Sequence, residues 1–368
     1  MSALNPENFE FSTDAIMVER ATSELRYGRP VLISEGARKL AAVAIDCVAP
    51  SLYDQFAAVV GDRHQLLLTA PRAQRLGLPL AQDVITPLAG VGFDEAARLS
   101  YALGAEAPQQ WQPADMLARQ SAELARLALL LPAMVVADVS AQAEKFGGCC
   151  EIAASRLKGA DVARQRFERV VRTRVPLKDL GDADFVVFRG GLAQKDQVAI
   201  IVGNPDVTAT VPIRIHSSCL TGDLCGSLKC DCGDQLRNGL TLLRQAGGGV
   251  LLYLDQEGRG TGIGAKMRAY GYQHLGLDTI DADAELGLSE DHRRYEAAVA
   301  MLRDLGIAKV AVYTNNPSKI AALRAGGILV DARAAVIGRV TAENQNYLRT
   351  KTLRAGHMLD LDKLVAAE

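Results

Sequence analysis

Residues 214–236 read RIHSSCLTGDLCGSLKCDCGDQL, and four of the chain's seven cysteines fall inside this stretch, at Cys219, Cys225, Cys230 and Cys232. The pattern Cys219-x10-Cys230-x-Cys232 offers three thiolates. With a short C-x-C arm, they can take three corners of a tetrahedral zinc and leave the fourth to water, the plan of a catalytic rather than a structural site. A closed structural site needs a fourth protein ligand, for which Cys225 and His216 are the nearby candidates. Buried, inert thiols are the remaining reading. The other cysteines, Cys47, Cys149 and Cys150, make an odd total, and clustering of this kind in a long chain favours a metal or catalysis over disulfides.

Outward from this stretch the second half of the chain is regular. Thr173 onward carries β-rich segments (DFVVFRGG, QVAIIVG, TVPIRIH), and then helix and strand alternate. Gly233–Ala246 is amphipathic, with Leu236, Leu240 and Leu243 on one face, and Gly247–Gly249 stop it. Val250–Leu254 reads as a buried strand, and the loop QEGRGTGIG opens a helix to about Leu275. His292–Leu305 is expected as a helix, Lys309–Thr314 as a strand, and Pro317–Ala325 as a helix begun by its proline. In the first half, Asp14–Tyr27 and Ser51–Val60 read as helices and Pro30–Ser34 and Gln65–Thr69 as strands. Ala114–Leu131 reads as one long Ala/Leu helix. Ser140 to about Val171 is charged and Ala-rich with little strand pattern, which suits a connector. The expected fold class is α+β, two α/β-type domains, with boundaries at 1–140, a connector at 141–172, and 173–368.

Three further clusters carry chemistry. Gln256–Gly264 has glycines at 258, 260, 262 and 264 between a strand and a helix, so backbone N–H groups can cradle a phosphate while Arg259 adds a bidentate partner. It matches neither G-x-G-x-x-G nor the Walker ending, and a plain flexible turn is the alternative. Ser289-Glu290-Asp291-His292-Arg293-Arg294 reads either as an acidic helix cap or as an active Asp291/Arg293 pair. Thr314-Asn315-Asn316-Pro317-Ser318-Lys319 joins a strand to a helix where hydroxyl, amides and an ammonium can meet an anion.

Composition sets the bounds. The 368 residues are 49% apolar and 23% charged, which excludes wholesale disorder and fibrous classes. A formal charge of −2 gives no basic footprint for nucleic acid or an anionic membrane, so a bound anion must be held by a local site. The N-terminal residues lack a cationic start and apolar core, and the longest apolar run, Leu127–Ala137, is eleven residues broken by Pro132. It reads as a buried helix end, and the expected location is cytoplasmic.

Together these pieces resemble GTP cyclohydrolase II. The likeness runs from about Thr173 to Leu359, through the cysteine stretch, YLDQEGRGTGIGAKMRAYGYQ, LGLSEDHRRY, VYTNNPSKI and NYLRTKTLRAGHML. The resemblance implies a mixed sheet with helices and one zinc per chain on Cys219, Cys230 and Cys232. It implies GTP contacts at Arg214, Ile215, His216, Ser217, Ser218, Gln235, Glu257, Gly258, Arg259, Thr279, Thr314 and Lys319. Tyr270 becomes an active-site phenol, Asp291 the proton acceptor and Arg293 the nucleophile, with Mg²⁺ on the triphosphate and a homodimer as the assembly. Ser218 stands where the family usually has glutamate, and residues 331–348, DARAAVIGRVTAENQNYL, lack the family's proline-rich elements.

The first half resembles 3,4-dihydroxy-2-butanone 4-phosphate synthase in MVERATSELRYGRPVLI and QLLLTAPRAQRLGLP. That enzyme needs an acidic metal-binding stretch after its first strand, and here Ser34–Leu40 holds one acid and two bases, too few oxygens for a divalent cation. A degenerate synthase-like α+β domain is expected. The implied activity is hydrolysis of GTP to 2,5-diamino-6-ribosylamino-4(3H)-pyrimidinone 5′-phosphate, formate and pyrophosphate, at the entry to riboflavin biosynthesis. A nucleotide-binding regulator with weakened turnover, or the same chemistry in pyrimidine breakdown, are the alternatives.

Overall fold

The computed structural model describes residues 13–163, 165–191, 195–289, 291–354 and 356–358, so Glu290 and Leu359 of the sequence motifs lie outside the described residues. The chain divides into two compact units, Met1–Ala163 with Asp283–Ser289, and Arg164–Ala282 with Glu290–Glu368.

In the first unit, seven strands form one sheet: β1 (Val31–Glu35), β2 (Arg38–Ala44), β3 (Gln65–Leu68), β4 (Val84–Pro87), β5 (Gln112–Pro113), β6 (Met134–Asp138) and β7 (Cys150–Ala153). Their order is β5-β4-β3-β6-β2-β1-β7, with only the β1–β7 pair parallel. The uninterrupted apolar runs of β3 and β6 sit mid-sheet with both faces covered, and Leu66, Leu68, Val135 and Ala137 join Tyr53 and Phe56 in the core. Two expectations change here. The Ala/Leu helix covers only Met116–Leu127, capped by the Asp115 carboxylate. Leu129 turns to φ 60° and Pro132 offers no N–H, so the second part of the apolar run becomes β6. Residues 141–172, expected as a connector, contain β7, whose Cys150 pairs with Val31, and the start of the next unit's first strand. A four-residue strand with one fully buried side chain, Ile152, leaves almost no periodic signal.

The segment Asp283–Ser289 completes this unit's packing. Arg72, 1% exposed, donates to the Glu285 carboxylate and to the carbonyls of Leu99 and Ala102. Arg75 shares Glu285 at 2.7 Å, and Thr69 donates to the Gly287 carbonyl. A buried arginine is tolerated because its donors are met.

The second unit holds β8 (Phe167–Leu177), β9 (Gly181–Gly190), β10 (Lys195–Gly203), β11 (Val211–Ser217), β12 (Gly248–Leu254), β13 (Lys309–Tyr313) and β14 (Leu329–Ala334), in the order β14-β13-β11-β12-β10-β9-β8. From β8 to β12 neighbours run antiparallel, and β12, β11, β13 and β14 are parallel. Helix Cys232–Gln245 packs Leu243, Leu236 and Leu240 with Leu251 on one face of the sheet. Helices Glu296–Asp304 and Pro317–Ala325 pack Met301, Leu302 and Leu323 with Val250, Leu252, Val310 and Val312 on the other. On the parallel half of such an open mixed sheet, the loops at the carboxyl ends of the strands form the ligand crevice. After β11, β12 and β13 those loops carry the cysteines, the glycine loop and Thr314–Lys319.

Candidate active site

The three sulfur atoms of Cys219, Cys230 and Cys232 lie within 4.8 Å of one another, with 3.7 Å between Cys219 and Cys230. A tetrahedral zinc about 2.3 Å from each sulfur sets S···S edges near 3.8 Å, so the cluster fits that ion. Among the described residues no fourth protein ligand joins the group. Cys225 is exposed. His216 directs Nε2 to Asp223 at 3.0 Å and Nδ1 toward Arg214, so both ring nitrogens are engaged. The closed four-ligand reading loses both of its candidates.

The sequence folds locally to bring these thiols together. Cys219 leaves β11 and its backbone N–H is fixed by Asp223, whose carboxylate also accepts from Tyr253. A Cβ on Gly222 would lie 2.9 Å from the Cys230 sulfur and 3.1 Å from that of Cys219, so glycine is required by close approach. Cys232 opens the helix Cys232–Gln245. Cys219 is held ionised by hydrogen bonds from Cys230 and Cys232 and by Lys266, while Cys230 and Cys232 are pushed up. Lys266 places its ammonium 3.1 Å from the Cys219 sulfur, 3.0 Å from Thr221 Oγ1 and 2.7 Å from Glu257. Glu257 in turn accepts from the Leu220 N–H. Tyr270, one helical turn after Lys266, lies under the ammonium groups of Lys229 and Lys266.

The glycine loop after β12 is conformationally special. Gly258 and Arg259 both take φ near 60°, and Gly260 and Gly262 are also left-handed. Arg259 without glycine's freedom is the kind of backbone strain that functional loops retain. The loop is tied to the Asp291–Tyr295 segment: His292 N–H donates to the Arg259 carbonyl, Arg294 N–H to Gln256, and a Cβ on Gly260 would strike the His292 carbonyl at 2.8 Å.

That segment corrects an expectation. The helix begins at Glu296, not His292, so Asp291 is not in its first turn. Asp291 instead folds back to accept from the Arg293 N–H at 3.0 Å and from its guanidinium Nε at 2.8 Å. Burial would raise the Asp291 carboxyl, but the guanidinium overrides it and holds it below its usual range. Arg293, 13% exposed at its side chain, stays firmly protonated through the same pair despite burial.

Further cations gather nearby. Lys319, buried, donates to the Ile215 carbonyl at 2.6 Å, and burial with Arg293, Arg214 and Lys351 pushes its ammonium well down. Arg214, 3% exposed and lowered to about 10 by burial, holds Gln235 at 2.9 Å. Ser218 Oγ accepts from Gln256 N–H, and the buried Ser217 Oγ has no hydrogen-bond partner among the described residues. Thr314 Oγ1 accepts from Asn316 N–H, and Thr279 Oγ1 from Gln273. Arg259, Thr279, Arg293, Tyr347, Lys351 and His357 line one cleft. Lys266, Tyr253 and Asp223 carry no role in the sequence reading, nor do Tyr347, Lys351 and His357. Two signals could have found the first and fourth: Lys266 and Tyr347 each stand four residues from a polar partner on one helix face, Tyr270 and Lys351.

A parallel α/β crevice with a three-thiol zinc-type site beside a phosphate-type loop places the chain among metal-dependent α/β enzymes. The model of the GTP cyclohydrolase II family matches residues 168–335. A protein named GTP cyclohydrolase-2 from Xylella fastidiosa is 52% identical over 96% of this chain and 90% of its own length. One of the same name from Azospirillum brasilense is 37% identical over 93% of both chains. Riboflavin biosynthesis protein RibBA of Bacillus cytotoxicus matches at 42% over 54% of this chain. Among solved structures, RibBX, a two-domain 3,4-dihydroxy-2-butanone 4-phosphate synthase from A. baumannii, aligns over 88% of this chain and 99% of its own at 17% identity and a TM-score of 0.31, too low to carry an inference. The chain belongs to the GTP cyclohydrolase II family.

Proposed function

We propose that the second unit opens the imidazole ring of GTP, expels C8 as formate, releases pyrophosphate and leaves 2,5-diamino-6-ribosylamino-4(3H)-pyrimidinone 5′-phosphate for riboflavin biosynthesis. The single observation that carries this reading is the cluster of three thiols, short of one protein ligand, at the strand ends whose glycine loop is hydrogen-bonded to the Asp291–Tyr295 segment. Cys219, Cys230 and Cys232 would hold a zinc, which would supply Lewis acidity and a more acidic water for the ring opening. Lys266 and Glu257 fix the cysteine loop, and Tyr270 presents its phenol to the ring.

At the phosphates, Arg293 attacks the α-phosphorus. An N–P bond forms, the bond to the pyrophosphate oxygen breaks, and Asp291 takes the guanidinium proton. Water later cleaves the N–P bond to leave the 5′-phosphate. A guanidinium is a poor nucleophile and the ion pair with Asp291 holds its proton on, so the proton passes to Asp291, in contact at 2.9 Å, only as the N–P bond forms. Arg214, the backbone of Ile215–Ser218, Gln235, Gly258, Arg259, Thr279, Thr314 and Lys319 hold the nucleotide, and Mg²⁺ neutralises the triphosphate. A cytoplasmic homodimer belongs to the same reading.

In the first unit, the acids near the hairpin of β1 and β2 are spent on bases: Arg38 pairs with Asp115 at 2.7 Å and Lys39 with Glu151 at 2.8 Å. This supports a domain that no longer makes the butanone phosphate. Incubation of the pure protein with GTP and mass analysis of the products tests the proposal. The pyrimidinone phosphate is expected, and unchanged GTP or GMP alone would leave a nucleotide-binding regulator.

A further inference from the structure

The C-terminal tail brings side chains to the site that none of the roles above uses. Helix Gln345–Leu353, the turn before it and the residues after it are tied down at three places. Thr341 donates to the Leu228 carbonyl in the cysteine loop, Arg354 pairs with Asp278 and Asp281, and Met358 N–H donates to the Asn315 carbonyl after β13. Along this strap, Lys351 points inward. Its side chain is 18% exposed, its ammonium lies 4.1 Å from the centre of the Tyr347 ring, and Asp231, itself 2% exposed, stands 3.5 Å behind it.

The cleft that Lys351 lines contains three cations, a histidine, two threonines, a tyrosine and Ile280, and among the described residues no carboxylate. The carboxylates lie behind the cations: Asp291 backs Arg293, and Asp231 backs Lys351. An ammonium has three donors; the loose contact with Asp231 uses at most one and the Tyr347 hydroxyl another, so one donor remains for a ligand oxygen. A cleft of about 20 Å³ walled by cations is complementary to a single anionic group, such as one phosphate of a nucleotide's chain.

We propose that Lys351 is a substrate-contacting residue that holds a phosphate of the nucleotide in the cleft it lines with Arg293. The C-terminal strap is then a part of the active site. The inference rests on the GTP reading, which turnover by the wild-type protein tests separately. As a point charge without a fork, Lys351 adds attraction to phosphate and no base recognition.

The test compares wild type, Lys351→Met and Lys351→Arg for zinc content and for equilibrium binding of guanosine and of a non-hydrolysable GTP analogue. Lys351→Met is expected to keep one zinc per chain and bind guanosine within twofold of wild type. It should bind the triphosphate at least tenfold more weakly, and Lys351→Arg should recover most of that loss. Unchanged triphosphate affinity would overturn the proposal. Parallel loss of guanosine, triphosphate and zinc would also overturn it, because Lys351 would then be a pin on Asp231. If Lys351→Met does not fold, Lys351→Gln is judged by the same guanosine-to-triphosphate ratio, and misfolding of both counts against the proposal.

Discussion

The two units are built on sheets of seven strands each, yet they use their charges in opposite ways. In the first, Arg38, Lys39 and Arg72 are matched by Asp115, Glu151 and Glu285. In the second, Arg214, Lys319, Arg293 and Lys351 are near enough to one another to lower the Lys319 ammonium, and carboxylates offset them only in part. Unspent charge beside an open metal-type cluster is costly to keep and marks the unit that does chemistry.

The sharpest way to break this contrast is at the thiols. Cys230→Ser is expected to lose zinc and to abolish formate release, while Cys225→Ser, at an exposed sulfur, should keep both. Zinc analysis with a formate assay decides it, and an active, zinc-filled Cys230→Ser would refute the site. Next comes Arg293→Ala, expected to lower pyrophosphate release by on the order of 10³-fold. Arg293→Lys should not rescue, because it keeps the charge and loses the fork that Asp291 grips. A Cys230→Ser protein may be assayed alongside, and pyrophosphate without formate is the expected outcome, since the two steps use different groups.

A glycine pair sharpens the comparison at smaller effect. Gly222→Ala forces a Cβ to within 2.9 Å of the Cys230 sulfur and should weaken zinc retention about 10- to 100-fold. Gly36→Ala, at φ 57° with nothing within 4 Å, should cost about 1 kcal/mol of stability and leave GTP turnover alone. Chelator competition and thermal melts separate the two.

A further effect is one of pH. Burial, then Lys351, Arg293 and Lys319, push His357 down to about 3. The unfolded tail takes up a proton near pH 6.5 and the folded one does not, so stability is whole above about 6.5 and falls as the pH drops toward 3, by at most about 1.4 kcal/mol per unit. His357→Gln should flatten this part of the melting profile between pH 7 and 5, and an unchanged slope would place the proton elsewhere.

Much of the site was legible because its signals are short-range. The C-x10-C-x-C spacing, the alternating glycines and the strand–helix period each lie within one loop or one element. What the sequence hid depends on contacts made across the fold. The helix expected at His292 starts at Glu296 because Asp291 spends its carboxylate on Arg293 and because Gly260 packs on the His292 carbonyl. The need for Gly222 shows only once three sulfurs surround it. Lys351 looks like an ordinary exposed-helix lysine until Asp231 and Tyr347 are seen beside it. Asp283–Ser289 reads as part of the second half, yet Glu285 belongs to the first unit's core through Arg72.

Both the cyclohydrolase and the synthase reactions release formate, so an isotope label tests the division of labour in one experiment. The pure protein is given GTP carrying ¹³C at C8 together with unlabelled ribulose 5-phosphate and Mg²⁺, and the formate is analysed by mass. The account predicts formate that is all labelled, matched one to one by pyrophosphate. Unlabelled formate would show a working synthase in the first unit, and no labelled formate would remove the chemistry from the second.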